Sequence, residues 1–174
     1  MAAKLLGSSE TEVHMTMEEV YASAIHPAME LLPSRMRSPE ATVMLLAIGL
    51  QESRFEHRRQ IGGPARGFWQ FERGGGVKGV CEHPSSRFWM RGLCDDRRIP
   101  FTITSVYSSL EFDDVLAAGA ARLLLFTDPN KLPDIGDADE AWDLYSRVWR
   151  PGRPHRHTWD AFHAQAVQFV KGYQ

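Results

Sequence analysis

Cysteine is scarce: only Cys81 and Cys94 occur in 174 residues, without the CxxC spacing of a redox or zinc pair. That excludes a disulfide-stapled scaffold, and the two residues read as unpaired, buried thiols rather than a bridge. Long apolar runs are missing too. The longest, Val43 to Leu50, is far short of the ~20 residues a membrane helix needs. The start, MAAKLLGSSE, has neither the charged n-region nor the apolar h-region of a signal peptide, so no export signal is expected. No glycine period or low-complexity tract indicates a fibrous chain, and 43% hydrophobic residues are too many for a disordered one. What remains is the composition of one domain, residues 16–174, preceded by a polar arm over residues 1–15 that is expected to be flexible.

The net charge of −2 argues against a nucleic-acid binder, but the charge is unevenly spread. Residues 1–53 and 99–146 carry −4 and −7, whereas 54–98 and 147–174 carry +5 and +4. Two separated stretches could therefore assemble one basic face for a polyanion or a carboxylate-bearing glycan, although an ordinary mixed surface has the same composition. Sixteen of the twenty Lys and Arg residues are Arg, the side chain that grips carboxylates bidentately.

The hydrophobic spacing is mostly helical. Thr16 with Glu19 forms a capping box ahead of an apolar stripe from Met17 to Leu32, and Pro27 inside it predicts a kink or an early end. Ser38-Pro39-Glu40 is a helix start, and the helix from Ala41 to Leu50 is apolar on nearly every side, as a core helix is. Residues 55–76, rich in glycine and aromatics, predict turns and a small β-hairpin. Short helices are expected at 77–82 and 85–95, the second capped by Ser85 or Ser86. Three more follow: Val115 to Phe126 behind Asp113, one opened by Asp137 or Asp139 that turns Trp142, Tyr145, Val148 and Trp149 to one face, and a last one capped by Thr158. The expected class is mainly α (α+β), with an irregular or β insert after the core helix.

The core helix ends in Gln51-Glu52-Ser53, and Glu52 is where chemistry is expected. Burial and the negative end of the helix dipole both favour the protonated carboxyl. A carboxylic acid kept neutral near pH 7 is a general acid for glycoside cleavage. The plainer alternative is a solvated helix end beside Arg54. His155-x-His157 with His163 suggests a metal, but no Cys, Asp or Glu stands at a matching ligand spacing, so no metal and no cofactor are expected. Ser53 lacks a G-x-S-x-G context, and Gly74 to Gly79 lacks the spacing of a phosphate loop.

Gln51-Glu52-Ser53-Arg54-Phe55, followed by Gly63-Pro64-Ala65-Arg66-Gly67-Phe68-Trp69-Gln70-Phe71-Glu72, resembles the lysozyme-like superfamily. The likeness is to soluble lytic transglycosylases, goose-type lysozymes and phage virion-associated muramidases. There a Glu-Ser pair ends a core helix, and a Gly-Ala-x-Gly-Leu-Met-Gln stretch follows. Ala65, Gly67 and Gln70 match, with Phe68 and Trp69 in place of Leu and Met. Val115 to Leu123 is similar to the family's Ala-Gly-Ala-x-Tyr-Leu helix, with Arg122 in place of Tyr. Ala141-Trp142-Asp143-Leu144-Tyr145 stands where the family has Ala-Tyr-Asn. The resemblance spans residues 38–155.

It implies a lysozyme-like fold and cleavage of the MurNAc-GlcNAc β-1,4 bond of bacterial peptidoglycan, with Glu52 as catalytic acid and base. Ser53 would bind substrate or orient Glu52, Gln70 would bind a sugar or its N-acetyl group, and Tyr145 would hold the Glu52 rotamer. Phe68 and Trp69 would stack on sugar rings unless they pack in the core. Arg54, Arg58, Arg59 and Arg66 would meet peptide-stem carboxylates unless they simply form a solvated face. Glu72 stands where goose-type lysozymes carry a second carboxylate. If it serves, the protein is a hydrolase; if it points away, Glu52 acts alone and a transglycosylase forms a 1,6-anhydro product. The implied setting is a phage virion, its tail or genome-ejection machinery, or a lysis protein reaching the host periplasm and cell wall. Partners would be glycan strands and other virion proteins. A structural tail or ejection component with a muramidase-like fold and little activity is the alternative.

Overall fold

A computed structural model describes residues 14–173. The chain is mainly helical: α1 (Met17–Val20), α2 (His26–Leu31), α3 (Pro39–Ser53), α4 (Lys78–Glu82), α5 (Arg87–Asp96), α6 (Ile103–Ser109), α7 (Asp114–Phe126), α8 (Ala138–Trp149) and α9 (Arg156–Tyr173). The Thr16–Glu19 capping box forms, with the Glu19 amide donating to Thr16 Oγ1 and the Thr16 amide to Glu19 Oε2. Pro27 does not end the first helix. The preceding turn, Tyr21–Ile25, widens to a π-helical one in which the His26 amide reaches back to the Tyr21 carbonyl, and α2 continues from there. The arm expected over residues 1–15 lies mostly outside the described residues. His14 and Met15 are described, and the Met15 amide is fixed to the Phe55 carbonyl at 3.1 Å.

α3 is the central element. Ser38 Oγ accepts from the Ala41 amide, Pro39 opens the first turn, and every residue from Val43 to Leu50 is buried. It packs along α9 and touches α7, which places its C-terminal end where the rest of the chain converges. Asp113 caps α7 through the Leu116 amide and Asp137 caps α8 through the Glu140 amide. On α7, Gly119 admits the Leu93 side chain of α5; a Cβ there would stand 2.4 Å from Leu93 Cδ2.

Several expected details differ. The insert forms no hairpin among the described residues, only isolated bridges of Arg66 with Arg59 and with Phe71. Gly67 (φ +72°) and Gln70 (φ +49°) take left-handed conformations in the four-residue turn that closes the Arg66–Phe71 pair. Helix α6, capped by Thr102, was not expected; its polar ITSVYSS sequence buries only Val106. Ser86 takes the N-cap position of α5, but its hydroxyl makes no cap bond and donates instead to the Val80 carbonyl at 2.8 Å. Thr158 lies inside α9, not at its start, with its hydroxyl on the His155 carbonyl and on Gln51. Cys81 and Cys94 are free and buried, and burial pushes their thiols up to about 11 and about 12.

At the end of α3, Arg54 and Phe55 both take left-handed conformations, which fold the Phe55 ring back onto Gly49. A Cβ at residue 49 would stand 2.2 Å from Phe55 Cε1. Ala in place of a mid-helix Gly ordinarily stabilises by about 1 kcal/mol. Gly49→Ala is expected instead to destabilise by roughly 1–3 kcal/mol through overpacking, read as a lower denaturant midpoint. A gain in stability would show that the ring does not occupy this place.

Candidate active site

The last turn of α3 carries three polar residues to three different fates. Gln51 ties the helix to α9: its Nε2 donates to the His155 carbonyl at 3.2 Å, and its Oε1 accepts from Thr158 at 3.0 Å. Ser53 is buried, and its hydroxyl donates to the Phe68 carbonyl at 2.7 Å while accepting from the Phe55 amide. It therefore fixes the turn out of α3 and neither faces substrate nor orients Glu52, contrary to the expectation from sequence. Glu52, between them, is partly buried and borders a cleft of about 1380 Å³.

Tyr145 of α8 donates its hydroxyl to Glu52 Oε1 at 2.6 Å. Its ring lies parallel to Trp159 of α9, at 5.1 Å between centres and 13° between planes. Trp149, one turn on, donates its indole N–H to the Trp69 carbonyl at 3.0 Å. Tyr145 is thus held by stacking, independently of the hydrogen bond it gives. The Glu52 carboxyl is pushed up to about 7. Burial is the largest cause, the Tyr145 hydroxyl opposes it by stabilising the anion, and the charge of Glu72 adds to the rise. Burial, and then the contact with Glu52, raise the Tyr145 phenol, so it remains a donor at neutral pH.

Glu72 is exposed and lines the same cleft. Gln70 lines it as well, with its amide nitrogen turned back onto the Gly67 carbonyl at 2.8 Å and the His57 carbonyl at 3.4 Å. The stacking role considered for Phe68 and Trp69 is overturned. Both are wholly buried, packed edge-to-face with Phe55, and the Trp69 indole N–H donates to the Leu45 carbonyl. The aromatic pair packs in the core, where it backs the turn that carries Gln70.

Of the expected arginines, Arg59 is exposed and the other three are engaged elsewhere. Arg66 pairs with Glu111 at 3.0 Å and lies over Tyr107, Arg58 grips Asp114 through two 2.8 Å bonds, and Arg54 lies over Phe162. Sequence reasoning missed the cations that do border the cleft: Arg147, Arg150, Arg153 and Lys78. Their signal was present in the charge distribution, since they belong to the two basic segments. Gln51 and Trp159, which anchor the site from behind, had no signal beyond their places on apolar helices. His163 is buried against Trp159 and has a depressed imidazole pKa, chiefly from burial. Among the described residues, no group of three or more His, Cys, Asp or Glu is placed to hold a metal ion.

A carboxyl that binds its proton more tightly folded than unfolded makes stability fall as pH rises from its ordinary value, near 4.5, to about 7. Glu52→Gln keeps an acceptor for Tyr145 and removes that titration. Above pH 7 the variant is expected to exceed the wild type by on the order of 2 kcal/mol, a figure discounted because Glu52 still meets the cleft. Near pH 4 the two should match. Denaturant melts across pH check this, and a variant less stable at every pH would mark Glu52 as a structural residue. No family model, curated protein or solved structure matches the chain, so a functional conclusion has to rest on this site's own residues.

Proposed function

We propose that the protein is a glycosidase with a lysozyme-like fold that cleaves the glycan strands of bacterial peptidoglycan, with Glu52 as general acid. The observation that carries this is a carboxyl with its pKa raised to about 7, set in the wall of a long cleft and hydrogen-bonded by a tyrosine fixed from behind. At neutral pH such a group is partly protonated and can give its proton to a departing glycosidic oxygen while the sugar gains oxocarbenium character. As the proton leaves, the Tyr145 hydroxyl remains on Oε1 and stabilises the carboxylate that forms, so Glu52 can next act as base. The cleft volume admits several sugar units, and Gln70 stands on its wall with its backbone fixed by the turn. Arg150 and Arg153 at the cleft suit a glycan bearing peptide carboxylates.

Glu72 favours the hydrolytic form of the reaction, because it borders the cleft and its charge is felt at Glu52. A second carboxylate there can draw a proton from water attacking the opposite face of the sugar. Without it, the sugar's own C6 hydroxyl would attack and leave an anhydro product. The sequence resemblance supports delivery as a phage virion-associated or lysis protein, acting on the cell wall.

Digestion of purified peptidoglycan, read by mass spectrometry, tests the proposal. Soluble muropeptides are expected from the wild type and none from Glu52→Gln, with reducing-end products if Glu72 serves and anhydro products if it does not. Folded wild-type protein that releases nothing would contradict the enzymatic function and favour the structural virion role. Tyr145→Phe keeps the ring and deletes the donor. Its Glu52 pKa is expected to rise, moving the alkaline limb of the pH–rate profile above that of the wild type, with a loss in kcat of roughly tenfold or more. An unmoved profile would show that Tyr145 does not bear on the acid.

A further inference from the structure

Outside the cleft lining, Arg122 on α7 is a buried charge, and the cavity it borders shares Asp128 and Pro129 with the cleft. The residue is 5% exposed; its Nε donates to the Met36 carbonyl at 2.8 Å, while its Nη1 has no hydrogen-bond partner among the described residues. Burial lowers its pKa to about 10, which leaves it cationic at neutral pH. A buried guanidinium short of acceptors is unfavourable, and an oxyanion able to accept from it would relieve that. Arg122 borders a second cavity, of about 420 Å³, and its guanidinium carbon lies 5.8 Å from the centre of the Phe126 ring on the same cavity.

The cavity is in the size range of small-molecule sites, and Leu125, Phe126 and Leu132 give it apolar walls. Its other charges are largely matched already. Asp128 is held by Arg147 at 2.7 Å, and Asp134 faces Lys131 at 3.4 Å. Arg35 also borders the cavity, and the N-terminal turn of α3, with Ser38 and Glu40, brings the positive end of a fifteen-residue helix to it. Glu40 opposes a dianion more strongly than a monoanion, which distinguishes a carboxylate from a phosphate.

We propose that this cavity binds a carboxylate carrying an apolar body, with Arg122 as its anchor. Nε is already committed to the Met36 carbonyl, so a carboxylate oxygen would accept from the guanidinium edge that borders the cavity, and the apolar walls take the hydrocarbon part. A free organic acid and the C-terminal carboxylate of an apolar peptide share this chemistry. The site is independent of the glycosidase proposal, since nothing in it uses Glu52.

Thermal melts at constant ionic strength test it, with hexanoate and N-acetyl-leucine as probes. Hexanamide and N-acetyl-leucinamide serve as neutral counterparts, and inorganic phosphate as a compact dianion. A saturable rise in Tm with at least one carboxylate, none with either amide and a weaker response to phosphate are expected. A response to N-acetyl-leucine alone assigns the site to chain termini, and one to hexanoate alone assigns it to free acids. Arg122→Met should weaken the response by about tenfold or more. Glu40→Gln, a change at a half-buried rim residue that leaves Arg122 in place, should tighten it severalfold and keeps the test decisive if Arg122→Met does not fold. No saturable response in the wild type overturns the proposal. So does equal binding of the amides, an undiminished response in folded Arg122→Met, or a response lost in Glu40→Gln.

Discussion

Burial of one carboxyl against one phenol, Glu52 against Tyr145, is the constraint on which the rest of the site depends. The proposed acid role requires that Glu52 be kept from water enough to hold its proton, yet open enough to give that proton away. α3 meets the first condition by being apolar along its length, so its last turn arrives already surrounded by core. The second is met by an abrupt exit. Arg54 and Phe55 reverse the chain in left-handed conformations, Ser53 locks the reversal to Phe68, and the Phe55 ring closes on Gly49. The phenol is fixed just as firmly from the other side, by Trp159 stacked behind it and by Trp149 bonded to Trp69.

Much of this was legible in the sequence because it obeys local rules. Ser38, Asp113 and Asp137 cap the helices they precede, and their amide contacts follow from short polar side chains placed before apolar periodicity. Glu52 was visible as a carboxylate ending an apolar helix, and the contact with Tyr145 was expected only through the family resemblance. What was illegible depends on distant partners. Ser53 looks like surface chemistry in sequence, and for Phe68 and Trp69 the sequence left stacking and core packing open; the structure buries all three around the reversal at residues 54–55. A β-hairpin was expected from the glycine and aromatic content, whereas the chain forms only the Arg66–Phe71 pair around the Gly67–Gln70 turn and a bridge of Arg66 to Arg59.

Charge shows the same division. The alternation of acidic and basic segments allowed a composite basic face or an ordinary mixed surface, and the cleft is bordered by Lys78 from one basic segment and by Arg147, Arg150 and Arg153 from the other, together with Glu52, Glu72, Glu82 and Asp128. Which arginines would stand there was not readable, because Arg58 and Arg66 are claimed by Asp114 and Glu111, more than forty residues away in sequence. These pairs pin the insert to the helices behind it. They serve the site indirectly, by fixing the turn from which Gln70 and Glu72 extend.

The central claim, that the fold keeps Glu52 protonated near neutrality, is tested most directly by carbon NMR of the glutamate side-chain carboxyls across pH. Comparison with Glu52→Gln assigns the resonance. A titration midpoint near 7 is the result this account predicts. A midpoint in the ordinary carboxylate range, near 4.5, would contradict it and leave Glu52 an ionised surface group at the end of a helix.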